Sequence, residues 1–167
     1  MKNLLAAIVI LFSIPAFSQT AKEYYAQGCK YYLESNFKDA SKVYAKALEM
    51  EKKKRTLDKE NFYVLIDNLS IAYGISGNLK DGIKTCEYGI SIDSAYPMFY
   101  YNLACCYAGK DDIDRALDNL SLAYKYKKNM LNGEEFPDPN TDDSFTKYKN
   151  NDKFKKGCKS KLICPLK

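Results

Sequence analysis

Tyr100-Tyr101-Asn102-Leu103-Ala104-Cys105-Cys106-Tyr107, followed nine residues later by Ala116, decides how this chain folds. The pattern has an echo 34 residues upstream, where Ile66-Asp67-Asn68-Leu69-Ser70-Ile71-Ala72-Tyr73 precedes Gly82. A third copy begins at Tyr24, with Gly28, Tyr31, Ala40, Tyr44 and Ala47 in register. Self-similarity at this period is the mark of a helical solenoid, in which each repeat is one supersecondary unit stacked on its neighbours.

Aligned, the copies give columns with a packing logic. Small residues recur at Gly28, Ser70 and Ala104, at Ala40, Gly82 and Ala116, and at Ala47, Gly89 and Ala123. Bulky residues recur at Tyr31, Tyr73 and Tyr107, and at Phe37, Leu79 and Ile113. The first small column and the Tyr column are three residues apart, on one face of a helix. A small residue lets a neighbouring helix approach, and the large one fills the space beside it. Each unit therefore reads as two antiparallel helices, A and B, joined at Ser35-Asn36, Gly77-Asn78 or Asp111-Asp112. All of these are turn or cap residues.

These columns resemble the tetratricopeptide repeat. The resemblance covers about 21–54, 63–96 and 97–130 within a repeat region of 19–130. It implies an all-α fold, an α-α solenoid of three helix-turn-helix units plus C-terminal capping helices. The third unit matches best. Departures are Gln27 at an apolar position, Cys86 at an aromatic one, and Gly82 and Gly89 where Ala is usual. An interior Gly costs a helix about 1 kcal/mol relative to Ala, which makes the second helix pair the expected soft point. Units two and three are spaced by 34 residues, but Tyr24 precedes Ile66 by 42. The eight extra residues lie within Met50 to Asn61 and are expected to lengthen helix B of unit one and the following loop.

End repeats need caps. After an acidic, turn-rich loop at 131–144, the tail 145–167 follows Asp143-Ser144-Phe145 with Asp152-Lys153-Phe154. Two such Asp-x-Phe segments resemble the C-terminal extension of many bacterial tetratricopeptide proteins. Each Asp is expected to start a short helix, placing Phe145 and Phe154 on the last repeat. Phe154, Cys158 and Leu162, at spacing four, would form the apolar face of the second helix.

The first eighteen residues read as a cleaved export signal. Lys2 supplies the positive start, Leu4 to Phe12 an apolar run too short for a bilayer, and Ala16-Phe17-Ser18 the small residues before a cut at Gln19. The expected localisation is periplasmic, secreted or cell-surface, without stable membrane insertion. Loss of Lys2 takes the formal charge from +5 to +4. From Phe145 onward eight lysines face Asp152 alone, a net +7, which leaves about −3 on the rest. This basic tail reads as a solvated helix face attracted to the adjacent acidic loop. No nucleic-acid partner is expected, since the tail holds no Arg for bidentate phosphate contacts.

The chain contains no histidine, which removes the commonest general base and metal ligand. No phosphate-cradling glycine loop and no catalytic carboxylate pair stand out, so no catalytic residue, metal site or cofactor is expected. Six cysteines remain, with no Cys-x-x-Cys among them. Cys158 and Cys164 are the candidates for a local disulfide, and Cys86 and Cys106 lie where helix B of one unit packs on helix A of the next. Buried Cys also serves as a small hydrophobe.

In the family, A helices line a concave groove that usually holds a partner's peptide. Carried over by register, groove residues are Lys22, Tyr25, Cys29, Tyr32 and Leu33 from unit one. Unit two supplies Val64, Asp67, Ile71 and Ile75, and unit three Met98, Tyr101 and Cys105. Family members that clamp a terminal carboxylate carry basic residues there; here only Asn68 and Asn102 occupy comparable sites. The groove is apolar and aromatic, suited to a segment with Leu, Phe or Tyr anchors. Two readings of this face stay open, a binding groove or a surface covered by the chain's own tail. On the first, joint replacement of Tyr25 and Tyr101 by Ala should abolish partner capture with helicity intact. The functional expectation is a non-enzymatic protein-binding module of the cell envelope. The alternatives are a thiol-based sensor using Cys29, Cys105 or Cys106, and a scaffold that self-associates through the groove.

Overall fold

The computed structural model describes residues 19–159, with the side chains of Cys158 and Lys159 left aside. The export signal at 1–18 and a Cys158–Cys164 bridge lie outside the described residues, as does Leu162. Among the described residues every element is helical. Three antiparallel pairs follow one another: α1 (Ala21–Leu33) with α2 (Phe37–Lys53), α3 (Lys59–Ile75) with α4 (Leu79–Ile92), and α5 (Pro97–Gly109) with α6 (Ile113–Tyr126). Short 3-10 turns at Lys127–Asn129 and Asp143–Tyr148 lead to α7 (Asp152–Lys159). Within each pair the helices pack along their length; α2 then packs on α3, α4 on α5, and α3 directly on α5. The fold is the expected solenoid.

The three A–B turns are one device built three times. Ser35, Gly77 and Asp111 take left-handed φ values of 57°, 80° and 62°. The next residue donates its N–H back to the Tyr column: Asn36 to Tyr31 O at 2.8 Å, Asn78 to Tyr73 O at 2.9 Å, Asp112 to Tyr107 O at 3.0 Å. This is a Schellman closure, and it satisfies carbonyls the helix end would otherwise leave open. The same Asn or Asp then caps the B helix, accepting from the N–H of Asp39, Asp81 or Arg115.

The insertion departs from its expected course. The eight inserted residues are divided between two helices: α2 runs to Lys53, and α3 already starts at Lys59 and is as long as α2, 17 residues each. The loop between them, 54–58, stays short. It closes around Glu51, which is 2 % exposed. The Glu51 carboxylate accepts from Thr56 N–H at 3.0 Å, Leu57 N–H at 3.2 Å and the Thr56 hydroxyl, with Arg55 Nε at 3.7 Å. Glu51→Gln keeps the shape but puts an amide donor among buried donors. It should cost about 1–3 kcal/mol in urea unfolding, with the dependence on urea unchanged.

The glycines also have a packing role that helix propensity does not show. A β-carbon on Gly89 would lie 2.7–2.8 Å from three ring atoms of Phe99, and one on Gly28 2.3–2.8 Å from the Tyr44 ring. Both aromatics are buried, at 1 % and 0 % exposure. These glycines let an aromatic from the adjacent helix press on backbone. Gly89→Ala should therefore destabilise by about 1–3 kcal/mol through overpacking, although helix propensity alone favours Ala by about 1 kcal/mol. A rise in melting temperature would refute this packing.

The tail caps the third unit. Phe145 and Phe154 are buried and stack on each other with ring centroids 5.6 Å apart. The Tyr148 hydroxyl donates to Ala108 O at 3.1 Å. Two of its lysines turn to the third unit and not to the acidic loop: Lys147 pairs with Asp111 at 2.5 Å and Lys153 with Asp114 at 2.8 Å. The expected attraction to 131–144 is replaced by contacts that seat the cap on α5 and α6.

Candidate partner-binding groove

The expected residues lie on the A helices α1, α3 and α5, in distinct settings. At the α1 end, Leu33 is 84 % exposed, while Tyr32 packs edge-on against Phe37 at 5.3 Å. The Tyr25 hydroxyl donates to Asn61 Oδ1 at 3.1 Å and its ring lies 6.2 Å from Tyr44. Cys29 and Val64 are half-buried. Lys22 departs from the set. It lines a separate cavity of about 360 Å³ with Thr20, Met50 and Lys54.

Between α3 and α5 lies a cavity of about 660 Å³. Ile71, Ile75, Met98, Tyr101 and Cys105 all line it, together with Ser70, Gly74, Leu79, Asn102 and Gly109. Ile75 is 59 % exposed at its rim. The far wall comes from a segment that the repeat register does not reach: Pro137, Asp142, Asp143 and Ser144. The acidic, turn-rich composition of that loop directly after the last repeat was the available signal, but nothing in its sequence fixes where it crosses.

That crossing corrects the role of Tyr101. It is 2 % exposed, its hydroxyl donates to Asp142 Oδ2 at 2.9 Å, and its ring meets Phe136 and Phe145 edge-on at 5.7 and 6.1 Å. Met98 is likewise buried, at 8 %. Tyr101 is the floor on which the tail rests, so it cannot serve as a clean probe of partner capture. The groove is covered by the chain's own tail at one end and open along Leu33 and Ile75.

The electrostatics are acidic. Asp67 sits half-buried on α3 and accepts from Asn102 Nδ2, which also donates to Ser70 Oγ at 3.2 Å. Burial, reinforced by the Glu134 carboxylate, pushes the Asp67 carboxyl up to about 7 against the pull of Asn102. Glu134 in turn accepts from the Tyr96 hydroxyl at 2.8 Å. Asn68 donates to the Tyr44 hydroxyl at 3.3 Å. Both candidate clamp asparagines are thus engaged internally, and the nearby charge has the wrong sign for a carboxylate.

Cys29, Cys86, Cys105 and Cys106 are free thiols. Cys86 and Cys106 do meet across α4 and α5, thiol to thiol. Burial pushes the Cys86 and Cys105 thiols well up, with Asp142 adding to the effect on Cys105. Such surroundings suppress the thiolate at Cys86 and Cys105, whereas the hydrogen bond with Cys86 lowers the Cys106 thiol. Among the described residues no three Cys, Asp or Glu side chains converge as metal ligands, and no helix is long and apolar enough to cross a membrane.

No family model matches the sequence, and no curated protein matches it either. The fold does have solved counterparts. PcrH, crystallised in complex with the chaperone binding region of PopB, superposes with a TM-score of 0.56 at 19 % identity. The match covers 65 % of this chain and 82 % of PcrH. The likeness supports a shared tetratricopeptide-like helical-repeat architecture.

Proposed function

We propose that this chain is a non-enzymatic protein-binding module that holds a segment of a partner protein in the concave face of α1, α3 and α5. The observation that carries this reading is the open cavity between α3 and α5, with Ile75 exposed at its rim and Leu33 exposed on the preceding A helix. Exposed aliphatic side chains beside a preformed apolar cavity are what an anchor residue of a partner needs. PcrH, of similar fold, was solved with a region of PopB bound. We place the module in the cell envelope, on the character of residues 1–18. N-terminal sequencing of the protein from an envelope fraction should then begin at Gln19.

Photocrosslinking tests the groove directly. A photoreactive residue at Leu33 or Ile75 should give discrete adducts in intact cells, and the same group at Lys156, on the basic tail, should not. Ile71→Asp with Ile75→Asp should remove the adduct formed from Leu33. Adducts from all three positions alike, or from none, would sink the assignment. Ile75 takes the place of Tyr101 in this design because Tyr101 is buried.

A further inference from the structure

We propose that the α3–α5 end of the groove selects a partner segment in which a Lys or Arg stands beside a bulky aliphatic residue. The aliphatic side chain would lie between Ile71, Ile75 and Met98, and the cation against the carboxylates of Asp142 and Asp143. This deepens the proposed function and rests on it.

Charge complementarity chooses the occupant. The cavity is lined by two carboxylates, Asp142 and Asp143, and by no Lys or Arg. Outside the lining, Glu134 is close enough to Asp67 to raise its carboxyl. Every hydrogen bond these groups receive comes from a neutral donor: Tyr101 and Ser144 N–H for Asp142, Tyr96 and Leu131 N–H for Glu134, Asn102 for Asp67. Neutral donors satisfy lone pairs and leave the net charge standing. Among the described residues none of these carboxylates has an ion pair.

The contrast with the rest of the chain is specific. Lys147 and Lys153, the tail lysines nearest the third unit, are taken by Asp111 and Asp114. Three carboxylates at the starts of α2, α4 and α6 have a lysine or arginine within reach: Asp39–Lys42, Asp81–Lys84 and Asp112–Arg115. The cavity between α3 and α5 thus pairs apolar walls with carboxylates that have no ion-pair partner among the described residues. Like-charge juxtaposition would reject acidic segments, and a cation would gain most where apolar walls reduce screening. A terminal carboxylate is excluded on the same ground.

Selection from a random twelve-residue peptide display library, on immobilised chain from Gln19 to Lys167, tests this. Peptides enriched on the wild type, and lost on the Ile71→Asp/Ile75→Asp variant, should carry Lys or Arg within two residues of Leu, Ile, Met or Phe. Replacing that cation by Gln in the synthesised peptide should weaken binding about tenfold at low salt, with the difference shrinking as salt is raised. The Asp142→Asn/Asp143→Asn chain should lose the preference while melting cooperatively. Enriched peptides without a cation would overturn the charge assignment and leave the groove standing. No enrichment on the wild type over the double Asp variant would overturn both. Enrichment only after the chain is ended at Lys159, or only under conditions where sedimentation shows dissociation of a dimer, would replace the partner by the chain's own terminal segment or by a second copy.

Discussion

Tyr101→Ala is expected to lower the unfolding free energy by about 3–5 kcal/mol, the range for removing a buried aromatic. The residue was a natural candidate for a binding contact, yet it is 2 % exposed and sits between α5 and the tail. Three attachments would go together: the edge contacts to Phe136 and Phe145 and the hydrogen bond to Asp142. Phe145 in turn stacks on Phe154, so the loss should spread to α7. Tyr101→Phe separates the contributions, since it keeps the ring and removes one hydrogen bond, at a cost near 1 kcal/mol. Urea unfolding gives both values, and limited proteolysis should show the 131–144 segment cut faster in the Ala variant. A Tyr101→Ala chain within 1 kcal/mol of the wild type, with an uncut tail, would mean that the tail does not rest on α5.

The contrast between Tyr101 and the Tyr31–Tyr73–Tyr107 column shows what the sequence can carry. The column is legible because its partners are in the repeat: each carbonyl closes the turn after its own helix, and the turn residues announce themselves as Ser-Asn, Gly-Asn and Asp-Asp. Register places Tyr101 on the groove face equally well. It says nothing of what crosses that face, because the crossing loop lies outside the repeat and its pairing with α5 spans 41 residues. The glycines failed for a related reason. Propensity reads Gly89 within its own helix, whereas the deciding atom is the Phe99 ring on the next. Phe145 and Phe154 were legible because an Asp two residues earlier marks each helix start, and a solenoid end needs an apolar cover. The insertion was visible as a count of eight but not as its division, since either helix can absorb a turn without disturbing the columns.

Asp67→Asn is expected to stabilise the chain at pH 8 and to do little at pH 4. The carboxyl has a folded value of about 7 against a reference of 3.8, because burial and Glu134 disfavour its charge. Its folded form therefore holds a proton that the unfolded chain has released, and stability falls as pH rises between the two values. Below about pH 4 both states are protonated and the penalty vanishes; above about 7 it is complete. The separation is roughly 3 units, on the order of 4 kcal/mol at most, and Asn removes it while keeping an acceptor for Asn102. The groups that face Asp67 come from four elements: Tyr32 on α1, Cys86 on α4, Tyr96 and Cys105 on α5, and Glu134 on the loop. Burial raises all four of the phenols and thiols, which leaves Glu134 as the carboxylate among them whose charge acts on Asp67. Glu134→Gln should accordingly lower the folded Asp67 value, leave the onset of the penalty where it is, bring its completion to lower pH, and shrink the gain from Asn. Urea unfolding of the three chains between pH 4 and 8 reads this as a difference that widens with pH. A difference that stays flat would show that Asp67 is charged at little cost, and would remove burial as the source of its altered proton affinity.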